Sequence, residues 1–301
     1  LPEGLDSLTS VITYQHGTIF KHADAPSVSF DLFGIAVAAQ GMIAFVPDYI
    51  GFGASSSLFH PYLIAESYAL PVADMIRSGQ EFLNKKTIQT NDNLILIGYS
   101  EGAYATLAAQ KEIESNPDLN ISLTAVAVGS GSYDLQLTTE TVFQDSTYEY
   151  PAYSAYVMLA YDQFYGLQRP LTDFFQEPYA GKLETLFNGI NDGDDINSEL
   201  TMMIDDLFNP VFKNAFLDAG EQDFKLLMTE NNLTNWKPLT PTFLFHGTAD
   251  NLVPFANSQM AYDNFVLNGS TSVTLIPLVD RDHETALLDM VLEINNLIPR
   301  L

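Results

Sequence analysis

The sequence predicts an α/β fold in which a mostly parallel sheet is flanked by helices. Two observations carry this prediction. Short runs of β-branched or apolar residues alternate along the chain with longer stretches that repeat apolar residues at helical spacing, which is the pattern of strands joined by covering helices. Each short run also ends in, or is closely followed by, glycine, aspartate or proline, the residues expected where a chain leaves a sheet.

The predicted elements follow the limits of these runs. In chain order the strands are residues 11–15, 43–47, 93–98, 123–129, 242–246 and 273–278. The helices that alternate with them span about residues 27–40, 71–86, 101–114, 255–268 and 283–297. A chain of 301 residues with 47% hydrophobic content is long enough to bury a sizeable core around such a sheet.

One long segment interrupts the alternation. Residues 132–239 are rich in aromatic and acidic residues and show no clear strand pattern. We interpret this segment as a mainly helical insertion that caps the strand ends, so that residues 1–131 and 240–301 form the α/β core. A helical domain unrelated to any functional site is the alternative.

The composition excludes several classes of function. The chain has 12 Lys and Arg residues and 38 Asp and Glu residues, which give a formal net charge of −26. Such a charge repels nucleic-acid phosphates. The absence of cysteine excludes disulfides, cysteine zinc sites and a thiol nucleophile. The sequence contains no run of about 18 apolar residues, so it predicts no transmembrane helix. The acidic run at residues 191–195 has the wrong ligand offsets for a calcium loop, so no metal is expected. Separately, we expect the protein to be a monomer.

A Gly-x-Ser-x-Gly motif at residues 98–102 lies between a predicted strand and a predicted helix. In this setting the serine occupies a sharp, strained turn, and side chains two residues before and after it would collide. Gly98 and Gly102 relieve that collision. Because the turn lifts a hydroxyl above the sheet, the motif predicts Ser100 as a nucleophile.

The residue after the serine is predicted to supply part of an oxyanion hole. The backbone N–H of Glu101 would lie at the N-terminus of the following helix and face the position where negative charge develops. A carboxylate beside that charge would oppose catalysis, so the Glu101 side chain is expected to point away. The strand, the glycine-flanked serine and the helix together resemble the nucleophile turn of the α/β-hydrolases.

A serine nucleophile needs a base to take its proton and a carboxylate to orient that base. In α/β-hydrolases the acid and then the base follow the serine along the chain. Three of the five histidines, at positions 16, 22 and 60, precede Ser100, and His246 lies at a strand end before the best acid. Elimination leaves His283, which follows the last predicted strand.

The acid is predicted to be Asp250. It follows the strand 242–246 after a glycine turn, and a carboxylate at a strand end can reach inward towards the histidine ring. Asp280 and Asp282 are closer to His283 in sequence and remain alternatives, although neighbours on one loop rarely face each other.

Four motifs in this order resemble the secretory lipase family, the family of Candida lipase A, and its bacterial esterase relatives. They are Tyr-Gln-His-Gly-Thr at residues 14–18, Pro-Asp-Tyr-Ile-Gly-Phe-Gly-Ala-Ser at 47–55, Gly-Tyr-Ser-Glu-Gly at 98–102 and His-Gly-Thr-Ala-Asp at 246–250. The resemblance spans nearly the whole chain and implies the α/β-hydrolase fold.

The resemblance also implies roles for two further places. In that family the second oxyanion N–H comes from the aspartate of the Pro-Asp stretch, which is Asp48 in this chain; an Asp48 that merely caps its loop is the alternative. His16 and Gly17 lie where many hydrolases place an oxyanion loop; we interpret them as structural support for the site, with a direct role as the alternative.

Two departures from the family pattern favour a bacterial esterase. Relatives often carry Gln or Gly where Glu101 stands, and fungal members use disulfides that this chain lacks. About ten residues precede the first predicted strand, so two opening strands usual for the fold are expected to be absent from this chain. A secreted or cell-envelope location is favoured, with the cytoplasm as the alternative.

The sequence therefore predicts a serine carboxylesterase or lipase that forms an acyl-enzyme with Ser100, Asp250 and His283. The expected substrates are small-molecule or lipid esters with short-to-medium acyl or aryl chains, without a cofactor. A serine peptidase on the same fold and a non-catalytic binding module are the alternatives.

Overall fold

The structure is a computed structural model that describes residues 9–29 and 32–297. Residues 30–31 of the predicted helix 27–40, and the two ends of the predicted core at residues 1–8 and 298–301, lie outside the described residues. Six strands form one sheet in which every pairing is parallel, in the order β2-β1-β3-β4-β5-β6. They are β1 (Thr9–Gln15), β2 (Ile43–Phe45), β3 (Thr90–Tyr99), β4 (Ala125–Gly129), β5 (Thr242–Gly247) and β6 (Val273–Leu278).

From Leu94 to Tyr99 the central strand β3 is buried on both faces, as the apolar run in this part of its sequence predicts. Successive side chains alternate between two separate apolar clusters, with Leu94 and Leu96 in one and Ile95 and Ile97 in the other. Helices cover both faces, which confirms the predicted fold class.

The core helices divide between these faces. They are α1 (Leu32–Ala39), α2 (Glu66–Lys85), α3 (Glu101–Ser115), α12 (Ala256–Leu267) and α13 (His283–Leu297). Helices α2, α3 and α12 contribute to the larger apolar cluster, and α1 and α13 contribute to the smaller one. Because all strands are parallel, their carboxyl ends meet at one edge of the sheet.

Several predicted boundaries are wrong, those of β1, β3 and β4 by two or three residues and those of α2, α1 and β2 as follows. Helix α2 begins five residues before the proline that was expected to open it, and Pro71 lies inside the helix. Residues 27–29, predicted as the start of the first helix, form turns instead, in which the N–H groups of Val28 and Ser29 donate to the Ala25 carbonyl, and the described helix α1 spans Leu32–Ala39. The second strand ends at Phe45 rather than at residue 47.

Eight helices lie between β4 and β5, in the segment predicted as the insertion. They are α4 (Leu135–Gln144), α5 (Pro151–Tyr165), α6 (Leu171–Phe174), α7 (Leu183–Leu186), α8 (Gly193–Glu199), α9 (Ile204–Leu207), α10 (Pro210–Leu217) and α11 (Gln222–Glu230). Extended pairing in this segment consists of isolated bridges, Thr147 with Met203 and Phe175 with Phe208. Its own aromatic cluster is built from Phe143, Phe174, Phe208, Phe212, Phe216 and Phe224. Among the described helices, none combines the length and apolar character needed to cross a bilayer.

Candidate active site

Ser100 lies in a strained turn between β3 and α3. Its φ of 58° and ψ of −123° are unusual for a residue that carries a side chain. A Cβ on Gly98 would lie 2.0 Å from the Gly102 carbonyl oxygen, and a Cβ on Gly102 would lie 1.9 Å from the Gln15 carbonyl oxygen. Both positions therefore require glycine, for the steric reason that the motif predicts.

The structure brings Ser100, His283 and Asp250 into one hydrogen-bonded chain. His283 Nε2 lies 3.0 Å from Ser100 Oγ, and His283 Nδ1 lies 2.7 Å from Asp250 Oδ2. Asp250 follows β5 and His283 opens α13 after β6, so three strand ends at the same sheet edge deliver the three side chains. Residues 183 and 33 positions apart in sequence thus meet within hydrogen-bonding distance.

The Asp250 carboxylate is held as an anion by several donors. Its Oδ1 accepts hydrogen bonds from the N–H groups of Leu252 (3.0 Å) and Val253 (2.8 Å). Burial raises the pKa of Asp250, but hydrogen bonds from His246 and His283 outweigh burial and bring the pKa well below its ordinary value. The group is therefore ionised at neutral pH and can orient the imidazole.

The alternative acid Asp282 is engaged elsewhere. Its carboxylate accepts hydrogen bonds from the N–H (2.8 Å) and Oγ1 (2.6 Å) of Thr285 at the start of α13. These bonds lower its pKa and commit the carboxylate to capping the helix. The backbone N–H of Asp280 donates to Thr248 Oγ1 at 2.9 Å, which joins the His283 loop to the Asp250 loop.

Sequence reasoning missed two side chains that position the site. His246 is fully buried, with Nε2 donating to the Val253 carbonyl at 2.9 Å and lying 3.4 Å from Asp250 Oδ2. The Tyr99 hydroxyl donates to the His283 backbone carbonyl at 2.6 Å. The available signals were weak, namely the spacing of four residues between His246 and Asp250 and the tyrosine before Ser100.

The two predicted oxyanion donors differ in what surrounds them. Glu101 opens α3, and its buried side chain points towards His60, whose Nε2 lies 3.0 Å from Glu101 Oε1. The Asp48 carboxylate accepts hydrogen bonds from the N–H (2.8 Å) and Oγ (2.5 Å) of Ser27, which link its loop to the segment before α1. The role of the Asp48 backbone N–H stays a prediction.

The predicted supporting pair lies next to the serine. A Cβ on Gly17 would lie 3.8 Å from Ser100 Cβ, which places this backbone directly beside the nucleophile turn. The buried His16 ring donates from Nδ1 to the Gly17 carbonyl at 2.7 Å and stacks on Tyr49 with ring centroids 4.2 Å apart. This arrangement fits a structural role, and among the described hydrogen bonds none joins the His16 ring to Ser100 Oγ.

A largely apolar pocket opens at Ser100. It encloses about 550 Å³ of empty space, part of which is open to solvent. Most of its wall comes from α4 and α5 of the insertion. The lining residues are Tyr62, Leu63, Ser100, Ser132, Leu135, Thr138, Thr139, Val142, Phe143, Tyr148, Tyr153, Ser154, Val157, Met158, Leu252 and Val253.

The described part of the chain has no group of three or more His, Cys, Asp or Glu side chains placed to hold a metal ion. The acidic run at residues 191–195 has a structural use. Asp192 and Asp195 form a reciprocal capping box at the start of α8, and Asp192 also forms an ion pair with Lys21 at 2.6 Å.

Comparisons with known proteins agree with this architecture. A solved structure from Legionella pneumophila, described as that of a hydrolase, shares 28% sequence identity, covers 100% of this chain and 82% of its own, and superposes with a TM-score of 0.92. The rice cell wall degrading esterase LipA from Xanthomonas oryzae shares 27% identity over 97% of this chain and 82% of its own, with a TM-score of 0.87. Closed Candida antarctica lipase A, at 16% identity over 98% and 71% of the two chains and a TM-score of 0.72, shares the fold.

No curated protein sequence matches the chain significantly. The family model for secretory lipases, in contrast, matches residues 21–297. That match includes Asp48, Ser100, Asp250 and His283 and covers most of the chain. The protein belongs to the secretory lipase family.

Proposed function

We propose that this protein is a serine carboxylesterase or lipase that hydrolyses carboxylic esters through an acyl-enzyme. Membership of the secretory lipase family supports a hydrolase that acts on esters. The observation that carries the finer proposal is the continuous chain from Ser100 Oγ through the His283 ring to the Asp250 carboxylate, with Ser100 lining an apolar pocket.

The hydrogen bonds set the roles of these groups. Asp250 accepts the Nδ1–H of His283, which leaves the lone pair on Nε2 facing the Ser100 hydroxyl. The Ser100 oxygen attacks the ester carbonyl carbon while its proton moves to Nε2. The same proton then passes to the departing alcohol, and Ser100 remains esterified. Water, activated by His283, attacks the acyl-enzyme and releases the acid.

The negative charge of each tetrahedral intermediate needs hydrogen-bond donors. We assign this role to the backbone N–H groups of Glu101 and Asp48. The Glu101 N–H lies at the first turn of α3, where helix N-termini attract negative charge. Loss of one such donor costs about 3–4 kcal/mol of transition-state stabilisation in hydrolases of this kind.

The pocket supports an apolar acyl or aryl substrate of short to medium length. Apart from a few hydroxyl groups, its wall is aliphatic and aromatic, and such a surface binds hydrocarbon better than charged peptide. We assign residues 132–239 the role of a cap over the α/β core formed by residues 1–131 and 240–301. The family name indicates secretion. The similarity to a rice cell wall degrading esterase makes acyl groups on plant-wall sugars a reasonable natural substrate to test.

The test is a substrate panel with a matched inactive variant. p-Nitrophenyl esters of two to twelve carbons, and aminoacyl anilides beside them, are offered to the wild type and to Ser100→Ala. Hydrolysis of esters alone, with labelling by a fluorophosphonate that Ser100→Ala abolishes, is the expected result. Preferred cleavage of the anilides would establish a peptidase, and inertness towards both panels without labelling would establish a binding module.

A further inference from the structure

Directly behind the nucleophile turn lies a cluster of three buried polar side chains, which we call the buried triangle: Glu101, His60 and Tyr68. His60 Nε2 lies 3.0 Å from Glu101 Oε1, and the Tyr68 hydroxyl lies 3.0 Å from Glu101 Oε1 and 3.1 Å from His60 Nε2. The side chains of His60 and Glu101 are 2% and 1% exposed. A carboxylate with so little access to water, one residue from Ser100, needs a physical explanation.

The hydrogen bonds of the buried triangle fix its net charge. His60 Nδ1 lies 2.6 Å from the carbonyl oxygen of Ile50, which can only accept, so Nδ1 carries a hydrogen. A 3.0 Å contact between Nε2 and a carboxylate oxygen also requires a proton between them, because two lone pairs would repel each other. Whether that proton belongs to the ring or to the carboxyl group, His60 and Glu101 together carry no net charge.

The surroundings make that neutrality important. Aromatic rings contact the buried triangle. Tyr62, which lines the pocket together with Ser100, has a raised pKa. The main cause is its burial, and the second cause is the charge of Glu101. Glu101 Oε2 is buried without a hydrogen-bond partner among the described residues. In such a poorly solvated region an uncancelled charge acts over a longer distance than it does in water.

The buried triangle also joins the two segments that carry the proposed oxyanion donors. The His60 ring donates to Ile50, two residues after Asp48, and contacts the side chain of Glu101. The backbone at Gly51 packs closely on His60, where a Cβ would lie 2.6 Å from the His60 Cα. His60 therefore fixes the spacing between the Asp48 loop and the start of α3.

We infer that His60 is a positioning residue of the oxyanion hole: it cancels the charge of the Glu101 carboxylate beside the developing oxyanion and holds the two donor segments together. The inference rests on the proposed function. Without the proton that His60 shares, the carboxylate of the residue that donates its N–H to the oxyanion would repel that oxyanion.

The test separates charge from packing with four variants. In His60→Gln the side chain has no second ring proton to share with the Glu101 carboxylate, so kcat on p-nitrophenyl butyrate is expected to fall about tenfold or more while KM changes less than about threefold. Glu101→Gln removes the carboxylate and keeps the backbone N–H, and its kcat is the reference for the double variant. The double variant H60Q/E101Q is expected to be several-fold faster than H60Q and to approach the kcat of E101Q, a rescue that a packing role would not produce. His22→Gln, a histidine outside the buried triangle, is the matched control.

Two results would overturn the inference. One is wild-type kcat in H60Q, and the other is a folded double variant as slow as H60Q alone. Thermal unfolding of each variant shows whether it is folded; if H60Q does not fold, His60→Asn, which keeps a donor near Ile50, replaces it with the same expectations. A fully active Ser100→Ala would overturn the proposed function and this inference together, whereas an inactive S100A beside a fully active H60Q overturns the inference alone.

Discussion

The sheet edge and the helical insertion contribute to the site in different ways. At the sheet edge, backbone register determines position: Gly98, two residues before the serine, pairs with Gln15 on one side and Val128 on the other. The insertion has isolated bridges instead of a sheet and is held by aromatic packing. We propose that the sheet edge sets the chemistry and that the insertion sets which substrates reach it, because the proposed triad lies at strand ends while most of the pocket wall comes from the insertion.

The largest expected effect lies at the sheet edge. Ser100→Ala is expected to reduce kcat/KM for p-nitrophenyl butyrate by about 10⁴- to 10⁶-fold, because the nucleophile is lost while the fold is not. Steady-state kinetics measures the loss, and thermal unfolding checks that the variant is folded. Residual activity within tenfold of the wild type would place the chemistry elsewhere and remove the distinction between the two regions.

The second prediction tests which carboxylate belongs to the sheet-edge chemistry. Asp250→Asn is expected to lower kcat by about 10⁴-fold, because an amide favours the wrong histidine tautomer. Asp282→Asn, on the same loop as His283, is the matched control and is expected to stay within about tenfold, since its carboxylate caps α13. Equal losses in the two variants would contradict the assignment of Asp250.

The same contrast explains what could be predicted from the sequence. Strands carry a local two-residue pattern, and β6 begins and ends at the predicted residues. Parallel pairing then forces strand ends to one edge, so Ser100, Asp250 and His283 could be named as partners from their places after β3, β5 and β6. Helix starts were predicted unevenly: α3 and α13 begin at the predicted residues, whereas Pro71 lies inside α2 because packing against α3 outweighs the usual proline position.

The parts of the fold and of the site that were not predicted depend on contacts between residues far apart in the chain, and local sequence patterns do not indicate such contacts. The insertion was predicted only as mainly helical, since its eight helices pack through rings far apart in the chain, such as Phe143 and Phe208. His60 precedes Ser100 and was set aside when the base was sought, yet it contacts Glu101. Sequence order identifies residues that follow a family pattern. The contact of His60 with Glu101, 41 residues later in the chain, follows no such pattern.

A third prediction tests whether the insertion is held by its aromatic cluster. Phe212 is 1% exposed and its ring contacts those of Phe174 and Phe224, so Phe212→Ala is expected to lower the free energy of unfolding by about 3–5 kcal/mol. Urea unfolding measures this change. Phe164→Ala, at a ring that is 40% exposed, is expected to cost much less. A loss below about 1 kcal/mol for Phe212→Ala would show that the cluster does not hold the insertion.

A fourth prediction concerns the selectivity of the insertion. Val157 on α5 lines the pocket, so Val157→Phe is expected to lower kcat/KM for p-nitrophenyl octanoate by about 10- to 100-fold and for the acetate by less than about threefold. The same change at Val211, which is 76% exposed on α10, is the matched control and should leave the chain-length profile unchanged. An equal loss on both esters would mean that Val157 affects the chemistry, which would break the division between the two regions.

The smallest expected effect is a pH dependence that belongs to the sheet edge alone. The pKa of Asp250 is lowered in the folded protein, because donors including His246 and His283 outweigh its burial. A carboxylate with a lowered folded pKa stabilises the fold above its unfolded pKa, near 4, and that stabilisation is lost as pH falls towards the folded value. The difference in free energy of unfolding between the wild type and Asp250→Asn is therefore expected to narrow from about pH 5 downwards, measured by urea unfolding at several pH values.

Phe212→Ala changes no charge, so its difference from the wild type should not follow this course. A difference for Asp250→Asn that stays constant or widens below pH 4 would contradict an ionised Asp250 held by those donors.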